Sequence, residues 1–152
     1  MSLESTARIN HLTRTIVGCG IKVHRVFGPG LLETPYHLAL AMELRTANLP
    51  FQVEVPLEVE YQGRNLGAGY RMDFVVDDTV VIEVKAIERL LPIHRQQLIT
   101  YLKRSGYPAG LLINFNVPLL KDGVIRVLND KPRTKEGDDE SAGRDAGQGP
   151  AS

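Results

Sequence analysis

Asp73, Glu83 and Lys85 are the residues of this 152-residue chain whose types and spacing point most directly to chemistry. Asp73 interrupts an apolar run (Met72, Phe74, Val75, Val76), and Glu83 and Lys85 interrupt the next one (Val80, Val81, Ile82, Val84, Ala86). An ionised group inside a sheet is costly unless it is paired, hydrated or bound to a metal. Glu83 and Lys85 are two apart, so on a strand both leave the same face. Asp73 joins them if it lies opposite Glu83, which sets Val76 against Val80 and leaves Asp77-Asp78-Thr79 as a three-residue hairpin loop. The same register gathers Tyr70, Met72, Phe74, Ile82, Val84 and Ala86 on one apolar face, whereas a two-residue loop would pair Asp73 with Ile82. Carboxylates facing each other across a strand pair repel unless a cation sits between them. A hard divalent ion, Mg²⁺ or Mn²⁺, suits such a pair and keeps water and phosphate oxygens as its other ligands. With Lys85 to hold a water or meet charge on a phosphate, the set is the minimum equipment for metal-assisted phosphodiester hydrolysis. The plainer alternative is an internal salt bridge between Lys85 and one of the acids.

These residues need elements to position them. Ile9, Leu12, Ile16, Cys19, Val23 and Val26 recur at spacings of three and four, predicting one buried helix stripe that Gly28-Pro29-Gly30 brings to an end. A second helix is expected from Leu32 to Pro35 onward, with Tyr36, Leu40 and Leu44 inward and Asn48 and Pro50 closing it. Residues 51–61 alternate strictly, the odd positions apolar and Gln52, Glu54, Pro56, Glu58 and Glu60 facing solvent; Pro56 marks an edge strand or a bulge. Strands follow over 66–76 and from 79 or 80 to 86, and then a helix over 92–105 with Leu98, Ile99 and Leu102 on its apolar side. Residues 110–115 read as a strand buried on both faces, and 124–128 as the last strand. The order ααβββαββ predicts an α/β fold, a mixed sheet flanked by helices. Residues 131–152 carry no large apolar side chain and are expected to be a disordered polar tail, so the domain is residues 1–130.

Composition sets bounds on function. The chain is 43% hydrophobic and 24% charged, as expected of one globular domain. Its single cysteine, Cys19, excludes an intrachain four-cysteine zinc site or cysteine-ligated iron–sulfur cluster. No apolar run approaches the roughly 20 residues of a membrane span, and the N-terminus lacks a secretory pattern, so a cytoplasmic location is expected. Formal charge is zero, which argues against a polyanion binder held by bulk charge alone. Residues 1–132 hold fifteen basic against thirteen acidic residues, a weakly basic body.

Asp73, nine intervening residues and then Glu83-Val84-Lys85, on a βββαβ core, resembles the PD-(D/E)XK nuclease superfamily, the restriction-endonuclease-like fold. Gly30-Leu31-Leu32-Glu33-Thr34-Pro35-Tyr36 reads G-x-x-E-x-x-Y and resembles the signature of the small bacterial GxxExxY proteins, a branch assigned to that superfamily. The likeness extends through Tyr70–Asp73, Ile82–Ala86, Gln97–Lys103, Gly110–Asn116 and Lys121–Gly123, and covers roughly residues 16–129. Met72 stands where the superfamily's name has proline, which leaves the acid in place. The resemblance implies a Mg²⁺-dependent nuclease acting on DNA, with Asp73 and Glu83 as metal ligands and the Val84 carbonyl as a third. It further implies that Lys85 orients the attacking water, that Glu33 is an added ligand or water-orienting acid, and that Gln97 contacts metal-bound water or phosphate. DNA is preferred to RNA by family association only.

Other residues invite plainer readings. Glu33 would suit a helix N-terminus on charge alone. Gln97 and Tyr101, one turn apart, suit packing and a hydrogen bond as well as function. Tyr36 and Cys19 are expected in the core, Gly28 and Gly30 in turns, and His94 at a helix cap. His24, His37 and His94 lie outside any tight ligand spacing. The rival to the enzyme is a catalytically silent nuclease-fold module, a nucleic-acid-binding or accessory subunit; the neutral net charge favours that reading or an enzyme that depends on a protein partner for DNA affinity. A third reading is a structural domain with an internal ion network. Concerted cutting of two strands would call for a homodimer.

Overall fold

The computed structural model describes residues 2–133. The elements in order are α1 (Leu3–Phe27), α2 (Glu33–Thr46), β1 (Phe51–Tyr61), β2 (Arg64–Val76), β3 (Val80–Lys85), α3 (Pro92–Ser105), β4 (Ala109–Asn114), a 3₁₀ turn (Leu120–Gly123) and β5 (Val124–Leu128). The five strands lie in the order of the chain. All neighbours are antiparallel except β3 and β4, which run parallel and are joined through α3. No helix of the described residues is long and apolar enough to cross a membrane.

Helices cover both faces, as the element order predicts. Ile9, Leu12, Ile16, Cys19 and Val23 of α1 and Tyr36, Leu40, Ala41 and Leu44 of α2 pack on Val80, Ile82 and Val84 of β3 and Ala109, Leu111 and Ile113 of β4. Leu98, Tyr101 and Leu102 of α3 pack on the opposite face, against Val81 and Leu112. Gly110 permits that contact, because a Cβ there would come within 2.8 Å of the Leu98 side chain. Val26 does not extend the α1 stripe: it is 80% exposed, lying in the last turn just before the helix stops at Gly28 (φ 61°). Ser2 caps the other end, its hydroxyl accepting the Ser5 N–H at 3.0 Å.

The β2–β3 hairpin has the expected register, Val76 against Val80 and Phe74 against Ile82, around a loop in which Asp77 and Asp78 both adopt positive φ. The expected common face of Tyr70, Met72 and Phe74 does not form. Phe74 belongs to the core under α1 and α2, and Met72 to the core under α3. Residues two apart thus face opposite sides, so β2 turns over at Asp73. The strict alternation expected of β1 breaks at the matching place: Phe51 packs with the first core, Val55 and Leu57 with the second, and Glu54 between them has φ 52°. The pairing brackets this point, with Val53 opposite Phe74 and Val55 opposite Met72. β1 is the edge strand that Pro56 implied, and the pairing is irregular just beyond it, between Leu57 and Glu60.

Of the expected tail, residues 134–152 lie outside the described residues. The residues before them are tied back: the Lys131 N–H donates to Asn129 Oδ1 at 3.2 Å and the Arg133 N–H to the Gly106 carbonyl at 2.9 Å.

Candidate metal and active site

Tyr36 explains why Gly30, Glu33 and Tyr36 occur together. Its fully buried ring stacks on Phe115 at 4.7 Å. Its hydroxyl donates to the Gly28 carbonyl at 2.5 Å and accepts the Leu31 N–H at 3.2 Å. The core residue therefore clamps the turn that precedes its own helix and fixes where Glu33, the first residue of α2, stands. Asn116 adds a tie from the end of β4, its Oδ1 accepting the Gly30 N–H at 3.0 Å.

Asp73 and Glu83 meet where the β2–β3 ladder stops. The Asp73 N–H donates to Glu83 Oε1 at 3.1 Å, and the Val84 N–H donates to Asp73 Oδ2 at 2.7 Å. Each acid accepts from the backbone of the opposite strand, so side chains take over the pairing that carbonyls make elsewhere. Burial pushes the Glu83 carboxyl up to about 8, and the negative charge of Asp73 pushes the same way against the Asp73 N–H and Lys85. Burial also raises Asp73, opposed first by the Val84 N–H. Glu33 is raised by desolvation and by Asp73, with Lys85 opposing. Tyr101 is driven to about 12 by its burial and then by Glu83.

Lys85 forms no ion pair among the described residues, so the plain salt bridge between it and one acid is not what the structure contains. The end of β3 is held by a buried side chain that sequence reasoning passed over. Asn114 Oδ1 accepts the Ile87 N–H at 3.0 Å, and its amide donates to the Ile87 carbonyl at 2.9 Å. Gln97 lies half-buried in a cleft of about 400 Å³ that it shares with Tyr70, Tyr101 and Arg104. His94 caps α3, Nδ1 accepting the Leu91 N–H at 2.9 Å, and His24 Nε2 lies 2.7 Å from the Val117 carbonyl. Cys19 is buried in the first core with its thiol raised by burial.

Two residues join the site that the sequence reading left out. His37, Glu54 and Asp73 each offer a ligand atom within 4.8 Å of the others. His37 follows Glu33 by one helical turn, a spacing that puts both on one face of α2. The alternation of β1 predicts Glu54 on the solvent side, and the break at φ 52° brings it to Asp73 instead. The donors present fit a divalent cation: clustered carboxylates whose charges are unfavourable as they stand, plus a ring nitrogen, His37 Nε2, that is buried without a hydrogen-bond partner.

A family model for the PD-(D/E)XK nuclease superfamily matches residues 10–127. No curated protein matches the chain significantly. Among solved structures, one described as the crystal structure of SSO0001 is 26% identical, with a TM-score of 0.40 over 66% of this chain. The match spans 50% of that protein's own length.

Proposed function

The chain belongs to the PD-(D/E)XK nuclease superfamily, and from that premise we propose that it is a Mg²⁺- or Mn²⁺-dependent nuclease that hydrolyses DNA phosphodiester bonds. The supporting observation is the pairing of buried Glu83 with half-buried Asp73 at the end of the β2–β3 ladder, both carboxyls raised, beside a lysine that neither neutralises through an ion pair. Such a pair is unfavourable alone and is relieved by a cation. When bound, a divalent ion supplies Lewis-acid charge to the phosphate and makes water more acidic.

The residues divide the remaining work. Asp73 and Glu83 hold the ion, with the Val84 carbonyl as a further oxygen. Glu33, the first residue of α2, supplies another carboxylate for the ion or for orienting water. Lys85 carries its charge to the attacking water and the phosphate, which its lack of an ion pair leaves it able to do. Gln97, in the cleft beside Tyr101, contacts a phosphate oxygen or a water. The GxxExxY likeness of residues 30–36 is consistent with this, since Tyr36 fixes the turn from which Glu33 projects.

Plasmid nicking in Mg²⁺ or Mn²⁺ tests the reading. Wild type is expected to cut and Lys85→Ala to lose about 10²-fold or more of the rate while still binding the metal. Cutting that survives Lys85→Ala unchanged refutes the assignment of Lys85. A wild type that binds divalent ions and DNA without cutting either strand supports the silent accessory module instead.

A further inference from the structure

We propose that the cleft between β2 and α3 seats one unpaired base of the substrate strand, with Tyr70 as its stacking platform, and that DNA unpaired at the cut is therefore the preferred substrate. The inference rests on the reading that the neighbouring acids cut DNA, and it names the form of that DNA. Three observations carry it. The cleft, about 400 Å³, has an aromatic wall: Tyr70 is 51% exposed, and its ring is tilted 49° against Tyr101 at 5.7 Å rather than stacked on it, which leaves an aromatic face open. Polar groups with unused hydrogen-bonding capacity line the same space, since the side chains of Tyr70, Gln96, Gln97, Thr100 and Arg104 make no hydrogen bond or ion pair among the described residues. The helix that supplies most of them carries His94, Arg95, Lys103 and Arg104 and no acid, in a chain whose formal charge is zero.

The cleft adjoins the candidate active site. Tyr101 forms part of its lining, and the Tyr101 hydroxyl is raised by burial and then by Glu83, Tyr70 and Asp73, so one side chain feels both the acids and the cleft. A nucleotide matches the lining group for group. Its base offers a flat face to Tyr70 and Leu57 and a polar edge to Gln96 and Thr100, and its phosphate offers charge to Arg104. An apolar peptide side chain would cover Leu57 and the tyrosines and leave the amides and the guanidinium unanswered. An acidic one would use Arg104 without the rings. A base inside a duplex has neighbours on both faces and a partner on its edge, so it reaches such a cleft only after unstacking and unpairing. A single strand requires far less of that disruption, and the geometry therefore favours unpaired DNA.

Fluorescence anisotropy of the full chain with fluorescein-labelled DNA, in chelator so that no strand is cut, tests the cleft. A single strand of about 20 nucleotides is expected to bind about tenfold or more tighter than the blunt duplex of the same sequence. Tyr70→Leu should weaken single-strand binding about fivefold or more and change duplex binding little, whereas Tyr70→Phe, which keeps the ring, should bind as wild type does. An abasic strand of the same length keeps every phosphate, and wild type should hold it about fivefold or more weakly than the ordinary strand, a result that does not depend on how any variant folds. Duplex bound as tightly as the single strand, Tyr70→Leu indistinguishable from wild type, Tyr70→Phe as weak as Tyr70→Leu, or the abasic strand held as well as the ordinary one overturns the base cleft and leaves standing the nuclease reading, which plasmid nicking decides. Base-dependent binding by a chain that nicks no plasmid in Mg²⁺ or Mn²⁺ overturns the nuclease reading and keeps the cleft.

Discussion

Replacing Glu83 by Gln tests the electrostatics of the site without reference to any substrate. Glutamine keeps the shape of the side chain and an oxygen for the Asp73 N–H, and removes the charge that burial opposes. The Glu83 carboxyl is raised from 4.5 to about 8, so between those values the folded protein holds a proton that the unfolded chain has released. The contribution of this group to stability is therefore fully present below about pH 4.5 and is lost as pH rises through about 8. At about 1.4 kcal/mol for each pH unit, the gap sets a ceiling of roughly 5 kcal/mol. For a domain of this size, at about 3 °C per kcal/mol, that is a Tm difference of up to roughly 15 °C. Thermal melting in chelator should give Tm values for wild type and Glu83→Gln that nearly coincide around pH 5 and separate steadily above it, with the variant the more stable. Adding Mn²⁺ at the alkaline end should raise wild type and leave the variant much less changed, because a bound ion stabilises the state that holds it. Parallel curves in chelator, or equal responses to Mn²⁺, would refute the claim that Glu83 is a destabilising buried acid waiting for a cation.

Three further substitutions test the parts that position the site. Tyr36→Phe removes the hydroxyl that joins Gly28 and Leu31, and should cost about 1–2 kcal/mol in urea unfolding while loosening Glu33, seen as weaker metal binding. Asn114→Ala leaves the Ile87 N–H without its partner and the Ile87 carbonyl with only the longer bond from the Asn116 amide, and should cost about 1–3 kcal/mol, with faster hydrogen exchange at Ile87 than elsewhere in the sheet. Gly110→Ala drives a methyl into Leu98 and should cost about 1–3 kcal/mol by forcing α3 outward, with a matching loss of stability in denaturant titration. Unchanged stability in any of the three removes that residue from the account.

Much of this architecture was legible because its elements obey simple periods. The bounds of β1, α3 and β5 match the sequence reading residue for residue, and the hairpin register followed from asking which loop length puts Asp73 opposite Glu83. His37 and Glu54 were not legible, for a reason the pairing shows. Next to the turn, β1 and β2 pair Tyr61 with Arg64 and Glu60 with Asn65. Carried on without interruption, that register sets Glu54 opposite Arg71, an ordinary surface charge pair. Two irregularities between Leu57 and Glu60 shift the strands by two residues and bring Glu54 to the level of Asp73. Bulges leave weak marks in sequence, and here the marks were Pro56 and the glycines at 67 and 69. The turnover at Asp73 was hidden for a related reason: Met72 and Phe74 are both apolar, and hydropathy alone cannot tell which of two buried faces a residue serves.

That turnover also accounts for how a sheet covered on both faces keeps charged groups reachable. Lys85 ends β3 and Asn114 ends β4, the one parallel pair, so both stand at carboxyl ends, where open α/β sheets bind ligands. Glu33 is the first residue of α2 and Gln97 lies in the second turn of α3, one in each helical layer. Had β2 continued its alternation, Asp73 would have faced α3 like any other residue of its phase. Because the strand rotates there, Asp73 interacts with His37 and Glu54 on one hand and, through the backbone bonds it exchanges, with Glu83 and Val84 on the other. Ladder bonds are given up at that point, and the two carboxylates replace them. The residues that break the pattern of the sheet are therefore the ones best placed to hold an ion.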